Sequence, residues 1–262
     1  MNKHMCNFII LILLLVVAYK FFLVVKRVPY GLYVINLERR NDRLENFINQ
    51  FDKSDLRNQN LIRHKGIDGA KLNMEKILLS GLLSDRARRE YDDLIRTKQR
   101  KYHHQLSIGA IGCYLSHVQI WETTILKNHA YSIILEDDFP IPINLSEEID
   151  NLLHLIPKDW DIILLHHCLI GSTEKNGYRK VNRFQSLAAY MISKKGAQKI
   201  FKSGLVFPMS RQIDAFLSEM SDMRFINIYS SFNSIGPPLD GQDTDIQIAL
   251  GGTEPFLDYP LI

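Results

Sequence analysis

Short apolar runs alternate with helical stretches along the chain, and this alternation limits the folds open to it. Each run is too short for a helix, as expected of a buried strand. Strands separated by helices predict an α/β fold with a mostly parallel sheet flanked by helices on both faces. Strands are predicted at residues 33–37, 131–135, 161–165, 188–192 and 224–229, and helices at about 38–52, 74–79, 85–98, 107–127, 146–155, 195–202 and 211–220.

Polar residues follow several of these predicted strands. In open α/β sheets, ligands bind at the carboxyl ends of the strands, so these positions are candidates for a site. They are Asn36-Leu37, the acidic triplet Glu136-Asp137-Asp138, and His166-His167. The two histidines could supply a third metal ligand or contact an acceptor. Asp243 and Asp245 are comparable candidates near the end of the chain.

The acidic triplet needs a positive partner, because adjacent carboxylates repel one another. Two unit charges about 4 Å apart repel by about 1 kcal/mol even in water. If the strand alternation continues, Glu136 and Asp138 face one way and share a cation, while Asp137 faces the other way and orients a sugar or a loop. Oxygen-only ligation suits Mn²⁺ or Mg²⁺, which commonly bridge to substrate phosphates. The alternative is a solvated acidic turn.

A long helix is predicted to begin after Ser107. Apolar residues recur at helical spacing and place one face in the core; they are Ile111, Leu115, Val118, Trp121 and Ile125. Ser116 and His117 lie opposite this stripe. A buried structural histidine and a ligand-binding histidine are both compatible with that position.

The ordered motifs resemble glycosyltransferase family 25, which includes bacterial lipooligosaccharide galactosyltransferases and procollagen galactosyltransferases. The resemblance runs from Tyr33 to about Leu217. Its segments are Val34-Ile35-Asn36-Leu37-Glu38-Arg39-Arg40-Asn41-Asp42-Arg43, Gly112-Cys113-Tyr114-Leu115-Ser116-His117, Leu135-Glu136-Asp137-Asp138, Ala188-Ala189-Tyr190-Met191-Ile192-Ser193, and Ile213-Asp214-Ala215-Phe216-Leu217.

The resemblance implies a GT-A-like nucleotide-sugar fold, a UDP-sugar donor (usually UDP-galactose), a divalent metal, and inversion at the anomeric carbon. It assigns the donor-binding loop after the first strand to Asn36, Arg39 and Arg43. A guanidinium there would match diphosphate oxygens, although Arg43 could instead form an ion pair on its own helix. Membership of a family motif also implies donor contact for Ser116 and His117.

Inversion requires a general base that takes the proton of the acceptor hydroxyl, while the metal stabilises the departing UDP. Asp214 ends a family motif and lies early in a predicted helix, where the helix dipole favours the ionised carboxylate. We therefore predict that Asp214 is the base. The alternatives are that Asp214 binds the acceptor or stabilises the start of the helix.

One position departs from the family pattern. Ala110 stands where the family commonly has a glutamate. If that glutamate were the base, the protein would be inactive. A second interpretation is that the missing acid affects only the start of the helix, because Ser107 and Ala110 occupy the positions of a capping box that lacks its acid. Losing half of such a box costs on the order of 1 kcal/mol.

The N-terminus carries an apolar run at residues 8–25 that Lys26-Arg27 closes. Its length just suffices to cross a bilayer. We predict a membrane anchor at residues 1–28 and a glycosyltransferase domain at 29–262; a cleaved signal peptide and a buried core helix are the alternatives. The domain is expected in the lumen of the endoplasmic reticulum or Golgi if the source is eukaryotic or viral, and on the cytoplasmic face if it is bacterial. The positive-inside rule by itself favours the cytoplasm.

The sequence thus predicts an inverting, metal-dependent hexosyltransferase, with galactose from UDP-galactose as the expected donor sugar and a glycan or hydroxylysine as acceptor. A net charge of +3 gives no reason to expect nucleic-acid binding. The competing prediction is a catalytically inactive, membrane-bound homologue that binds a nucleotide sugar or a glycan. A metal-dependent hydrolase around His166-His167 lacks any hydrolase spacing motif.

Overall fold

A computed structural model describes residues 29–99, 101–102 and 104–237. Its centre is an eight-stranded sheet with strand order β2-β1-β3-β7-β4-β8-β6-β5. The strands are β1 (Tyr30–Leu37), β2 (Leu61–Gly66), β3 (Tyr131–Glu136), β4 (Ile162–Leu164), β5 (Cys168–Lys175), β6 (Tyr178–Gln185), β7 (Ala189–Ser193) and β8 (Ile228–Ser231).

The helices lie where their sequence signals place them. Side chains of Asn73, Ser84, Ser107 and Ser193 accept backbone N–H groups at the starts of four of them, which satisfies donors that a helix start leaves unpaired. The helices are α1 (Asn41–Phe51), α2 (Met74–Leu79), α3 (Asp85–Thr97), α4 (Ile108–Leu126), α5 (Leu145–Leu155), α6 (Lys194–Lys202) and α7 (Ile213–Asp222), with a 3₁₀ turn at Gly69–Lys71.

The prediction of a mostly parallel sheet is wrong, because the sheet is mixed. Strand β1 pairs in parallel with β2 and β3, and β4 pairs in parallel with β8. Strand β7 runs antiparallel between β3 and β4, and the β5–β6 hairpin joins antiparallel to β8. The hairpin turns on Asn176-Gly177, both with positive φ, as its two-residue turn requires.

Helices cover both faces of the sheet, as predicted. Along β3, Ile133 and Leu135 pack with Phe47 of α1 and Ile149 of α5. Ile134, which points to the opposite face, packs with residues of α4, α6 and α7. This alternation is the period-2 pattern of a strand that is buried on both sides.

Helix α4 is buried on more sides than its apolar stripe indicates. Trp121 and Ile111 are buried as predicted, but Ser116 and His117 on the other side are also buried. A Cβ atom at Gly112 would lie 2.3 Å from the carbonyl oxygen of Ile67. Helix α4 therefore packs directly against the backbone that follows β2.

The order β2-β1-β3 creates a change of direction in the sheet. After β1 the chain adds β2 on one side, and β3 then pairs on the other side of β1. The carboxyl ends of β1 and β3 lie next to each other, since Ile35 is in register with Glu136. Such a reversal of strand order opens a crevice at the carboxyl edge, where ligands bind in open α/β sheets.

The predicted anchor at residues 1–28 lies outside the described residues, as do Asp243 and Asp245. Within the described part of the chain, no helix combines the length and hydropathy needed to cross a membrane.

Candidate functional site

The acidic triplet lies where β3 ends, beside the end of β1. Its three carboxylates differ in their surroundings. Glu136 accepts from α4, Asp137 accepts from β1 and α1, and Asp138 has more than a third of its side chain exposed. Glu136 and Asp137 thus turn toward different elements, whereas Arg43 contacts both Asp137 and Asp138. That Asp138 faces the same way as Glu136 stays a prediction.

Asp137 is buried and tied by two neighbours. The Asn36 amide donates to its Oδ2 over 2.6 Å, and the Arg43 guanidinium donates to its Oδ1 over 3.1 Å. Burial raises the pKa of Asp137, while the hydrogen bond from Asn36 and the charge of Arg43 oppose that rise. The two contacts favour the ionised form of this buried carboxyl.

Asn36 connects three segments at this point. Its Nδ2 also donates to the carbonyl of Arg40 over 2.9 Å, and its Oδ1 accepts from Arg63 of β2 over 2.6 Å. Sequence reasoning missed Arg63, because β2 carries no clear strand pattern. The side chain of Asn36 is almost completely buried, so it connects these segments from the buried side of the site.

The two predicted arginines form ion pairs with different acidic residues. Arg43, the third residue of α1, pairs with Asp137 and reaches Asp138 over 3.4 Å. Arg39 instead pairs with Asp68 over 3.0 Å, at the residue that caps the 3₁₀ turn. The structure brings Asn36 and Arg43 together with the acidic triplet, and places the ion pair of Arg39 at the end of β2.

Asp138 is the most perturbed carboxyl of the triplet. Partial loss of water around its carboxyl in the crowded turn, together with the nearby charge of Glu136, raises its pKa to about 7, although Arg43 acts in the opposite direction. A carboxylate held beside other carboxylates is relieved by a divalent cation. The oxygen-only pair Glu136 and Asp138 therefore fits Mn²⁺ or Mg²⁺.

His117 reaches the triplet from α4 without being exposed. Its Nε2 lies 3.1 Å from Oε1 of Glu136, and its Nδ1 lies 2.9 Å from the hydroxyl of Tyr190. Ser116 next to it donates to the carbonyl of Gly112 and accepts from the backbone N–H of Ile67. Both side chains are buried within the protein, and their contact with a donor stays a prediction.

Cys113 joins His117 and Glu136 in a group whose ligand atoms lie within 4.8 Å of one another. The Cys113 thiol lies 4.0 Å from Oε1 of Glu136. Burial, reinforced by the charges of Glu136, Asp214 and Asp138, raises the pKa of this thiol. This group was not predicted from the sequence; a cysteine at i and a histidine at i+4 on one helix is the signal that could have indicated it.

Asp214 lies near the same cluster, since its charge acts on Cys113. It is the second residue of α7 and is buried. Its Oδ1 accepts from the backbone N–H of Ala215 over 2.7 Å, and its Oδ2 accepts from that of Ser186 over 3.2 Å. Ser186 precedes β7, so the antiparallel direction of β7 brings this contact to the carboxyl edge of β3.

The histidine pair lies at the same edge of the sheet. Nδ1 of His166 lies 3.1 Å from the carbonyl of Ile235, and its ring packs edge-on against Phe139 at 5.8 Å. Burial, aided by neighbouring positive groups, lowers the pKa of His167 to about 4. His167 is thus neutral near pH 7, and its backbone N–H donates to Ser234.

Comparison with known proteins adds an independent observation. A family model described as "Glycosyltransferase family 25 (LPS biosynthesis protein)" matches residues 30–216. This stretch contains all the predicted site residues from Asn36 to Asp214.

Several curated proteins are similar to the chain. It is 26% identical over 216 residues to procollagen galactosyltransferase 1 of Danio rerio, with 76% of this chain and 32% of that protein covered. It is 29% identical over 242 residues to procollagen galactosyltransferase 1-A of Xenopus laevis, covering 87% and 35%. A third, named probable inactive glycosyltransferase 25 family member 3 of Bos taurus, is 26% identical over 202 residues, covering 72% and 31%. The chain spans about a third of the length of these relatives.

Among solved structures, mouse xyloside xylosyltransferase 1 in its apo form is similar with a TM-score of 0.39 and 14% identity. The similarity covers 75% of this chain and 76% of that one.

Proposed function

Because the chain belongs to glycosyltransferase family 25, we propose that it is a metal-dependent, inverting glycosyltransferase that transfers a hexose from a UDP-sugar. The arrangement of Glu136, Asp137 and Asp138 beside Asn36 carries the proposal. It gathers an acidic triplet, an arginine and an amide at the crevice between β1 and β3. Galactose is the donor sugar that we propose, in line with the names of two of the relatives.

Glu136 and Asp138 would hold Mn²⁺ or Mg²⁺, which supplies charge stabilisation for the departing diphosphate when it is bound. Asp137 would hold the Arg43 guanidinium next to Asp138. Arg43 places a guanidinium at the edge of the triplet, where its fork suits diphosphate oxygens. We retain Arg39, Ser116 and His117 as proposed contributors to donor binding.

Asp214 is the base that we propose. In the transfer step the acceptor oxygen forms a bond to the anomeric carbon, the bond from that carbon to the UDP oxygen breaks, and the hydroxyl proton passes to the Asp214 carboxylate. UDP leaves with the electron pair of the broken bond. Asp214 is the second residue of α7, so its carboxylate lies at the positive end of the helix dipole.

The second candidate function is an inactive homologue that binds a nucleotide sugar or a glycan. The name of the Bos taurus relative and Ala110 favour it. However, the hydroxyl of Ser107 accepts the backbone N–H of Ala110 over 3.0 Å. Half of a capping box is thus present at position 110, which supports the milder view that the missing acid affects only the start of the helix.

One assay separates the two candidates. The full-length chain, purified in mild detergent, is incubated with a panel of UDP-sugars, Mn²⁺ or Mg²⁺, and glycan or hydroxylysine-containing acceptors, and UDP release is followed. We expect metal-dependent release that Asp138→Ala abolishes. Asp150→Ala, which changes an exposed acid on α5, serves as the matched control. Donor binding without turnover for every donor would favour the inactive homologue.

We also propose that residues 1–28 attach the protein to a membrane. The apolar run at residues 8–25 supports this proposal. Protease protection in sealed vesicles tests both the anchor and the side on which the domain lies. A domain that is washed from the vesicles at high pH would contradict the anchor.

A further inference from the structure

A buried chain of hydrogen bonds ends on Glu136. The indole Nε1 of Trp121 donates to the hydroxyl of Tyr190 over 2.7 Å. That hydroxyl lies 2.9 Å from Nδ1 of His117, whose Nε2 lies 3.1 Å from Oε1 of Glu136. Trp121, Tyr190 and His117 are fully buried, whereas the Glu136 side chain is 19% exposed. The chain therefore runs from the core to the edge of the site.

The direction of the donors along this chain follows from Trp121. An indole nitrogen can only donate, so the oxygen of Tyr190 accepts there. Burial raises the pKa of Tyr190 well above its usual value, so the phenol keeps its proton. Among the contacts of the described residues, Nδ1 of His117 is the acceptor available to that proton.

The protonation of His117 is then fixed. If Nδ1 accepts from Tyr190, the ring proton is on Nε2 and points at Glu136. The opposite tautomer would aim two N–H groups at one phenol oxygen and leave the phenol proton buried without a partner, which costs about 1–3 kcal/mol. The hydrogen-bond pattern therefore places the ring proton of His117 on Nε2, from which it is donated to the Glu136 carboxylate.

We propose that His117 is a positioning residue. Trp121 and Tyr190 set the position of its ring proton, and His117 then fixes one oxygen of Glu136 so that the other faces the cation and the donor. This inference rests on the proposed function of the acidic triplet. Glu136 is the last residue of β3 and adjoins a turn, so its side chain needs an anchor. His117 supplies that anchor from α4, where its own side chain is fully buried.

The same residues allow one rival arrangement. Cys113, His117 and Glu136 offer sulfur, nitrogen and oxygen ligands within 4.8 Å, a mixed set that suits Zn²⁺ or Co²⁺. Metal binding at Nε2 of His117 would require the proton to move to Nδ1, against the direction set by Trp121. It would also need the thiolate form of Cys113.

The test compares variants of the full-length chain by Mn²⁺ affinity, measured from the electron paramagnetic resonance signal of free Mn²⁺. His117→Phe keeps a ring but removes the donor to Glu136, and we expect Mn²⁺ affinity to fall about 10–100-fold, as for lost outer contacts of metal ligands. His117→Gln retains an N–H near the Nε2 position and should recover affinity to within a few-fold. His154→Gln, at an exposed position on α5, should have no effect.

Tyr190→Phe provides a second variant in case His117→Phe folds poorly. It leaves Glu136 and His117 in place but removes the hydroxyl that sets the tautomer, so an intermediate loss of Mn²⁺ affinity is expected. Unchanged Mn²⁺ affinity in both His117→Phe and Tyr190→Phe, with lowered Tm alone, would overturn the proposal and leave a packing role.

The absorption spectrum with added Co²⁺ distinguishes the positioning role of His117 from metal binding by Cys113, His117 and Glu136. We expect no thiolate-to-cobalt charge-transfer band in the wild-type protein. A band that Cys113→Ser abolishes would overturn the positioning role, because the metal would then occupy Nε2 of His117. A wild-type protein that binds Mn²⁺ but releases no UDP would contradict the proposed catalysis while leaving the role of His117 testable by affinity.

Discussion

The amide of Asn36 donates to the carboxylate of Asp137 over 2.6 Å and so ties the end of β1 to the turn that follows β3. These residues are 101 positions apart in the chain. The contact closes the floor of the crevice, and Arg63 of β2 reaches the same amide. One side chain thus joins β1, β2 and the turn after β3.

Asn36→Ala should lower the free energy of unfolding by about 3 kcal/mol. The change removes partners from a buried carboxylate and from a guanidinium, and hydrogen bonds to charged groups are worth about 1.5–3 kcal/mol. Urea denaturation measures the loss. Asn182→Ala, at an exposed position of β6, is the control and should change stability by no more than about 0.5 kcal/mol. Equal effects of the two substitutions would refute the central role of Asn36.

The raised pKa of Asp138 predicts a pH dependence with a definite sign. In the metal-free protein, desolvation and the charge of Glu136 raise the pKa of Asp138 from its ordinary 3.8 to about 7. The folded state therefore holds a proton between about pH 4 and pH 7 that the unfolded chain has lost. The contribution of Asp138 to stability is present below about pH 4 and is lost as the pH rises through 7.

Mn²⁺ must displace this proton, so its apparent affinity should rise as the pH increases toward 7 and level off above it. Titrations at several pH values, read by the free Mn²⁺ signal, check the curve. Asp138→Asn should bind weakly and show no such rise. At a free concentration about 100 times its dissociation constant, Mn²⁺ should add about 2.7 kcal/mol to stability above pH 7, and chelation should remove it.

Asp214→Asn tests the proposed base. We expect kcat to fall by roughly 100-fold or more, while KM for the UDP-sugar changes little, because the base acts on the acceptor. The new amide group faces the backbone N–H of Ser186 or Ala215, so stability should also fall by about 1 kcal/mol.

Asp222→Asn is the matched control on the same helix, because Asp222 pairs with Arg183 near the surface. It should retain wild-type kcat. Near-normal kcat in Asp214→Asn would mean that another residue is the base. Asp214 would then serve only to anchor the backbone N–H of Ser186.

Gly112→Ala should destabilise the protein by about 3 kcal/mol. The added methyl group would meet the carbonyl oxygen of Ile67 at 2.3 Å and the backbone nitrogen of Gly69 at 2.9 Å, and backbone cannot yield as a flexible side chain does. Thermal and urea unfolding measure the loss. At Gly171 of β5 the nearest atom would be 3.7 Å away, so Gly171→Ala should be neutral or add about 0.5 kcal/mol.

Sequence patterns predicted the elements that carry strong local signals. The helix at 74–79 and the strand leading into Glu136 are confirmed, because apolar spacing and side-chain caps act over a few residues. The β5–β6 hairpin was missed although Asn176-Gly177 marks its turn. Strand β5 is largely exposed, and neither strand shows clear alternation of buried and exposed residues.

Residue patterns could not foresee which partners the site residues would find. Arg39 and Arg43 are equivalent by composition, yet one pairs with Asp68 and the other with Asp137. That division depends on where β2 and the 3₁₀ turn lie, which is a tertiary property. The burial of His117 likewise depends on the packing of α4 against Tyr190 of β7, whose antiparallel direction was not predicted.

The separate anchoring of the three acids has a consequence for how such a protein can change over time. Glu136 is held by α4 and Asp137 by β1 and α1, whereas Asp138 lies at the surface of the turn. A single substitution at Asp138 could therefore abolish chemistry while the scaffold persists. Descendants that had lost the reaction would still fold, and would remain free to acquire a purely associative role.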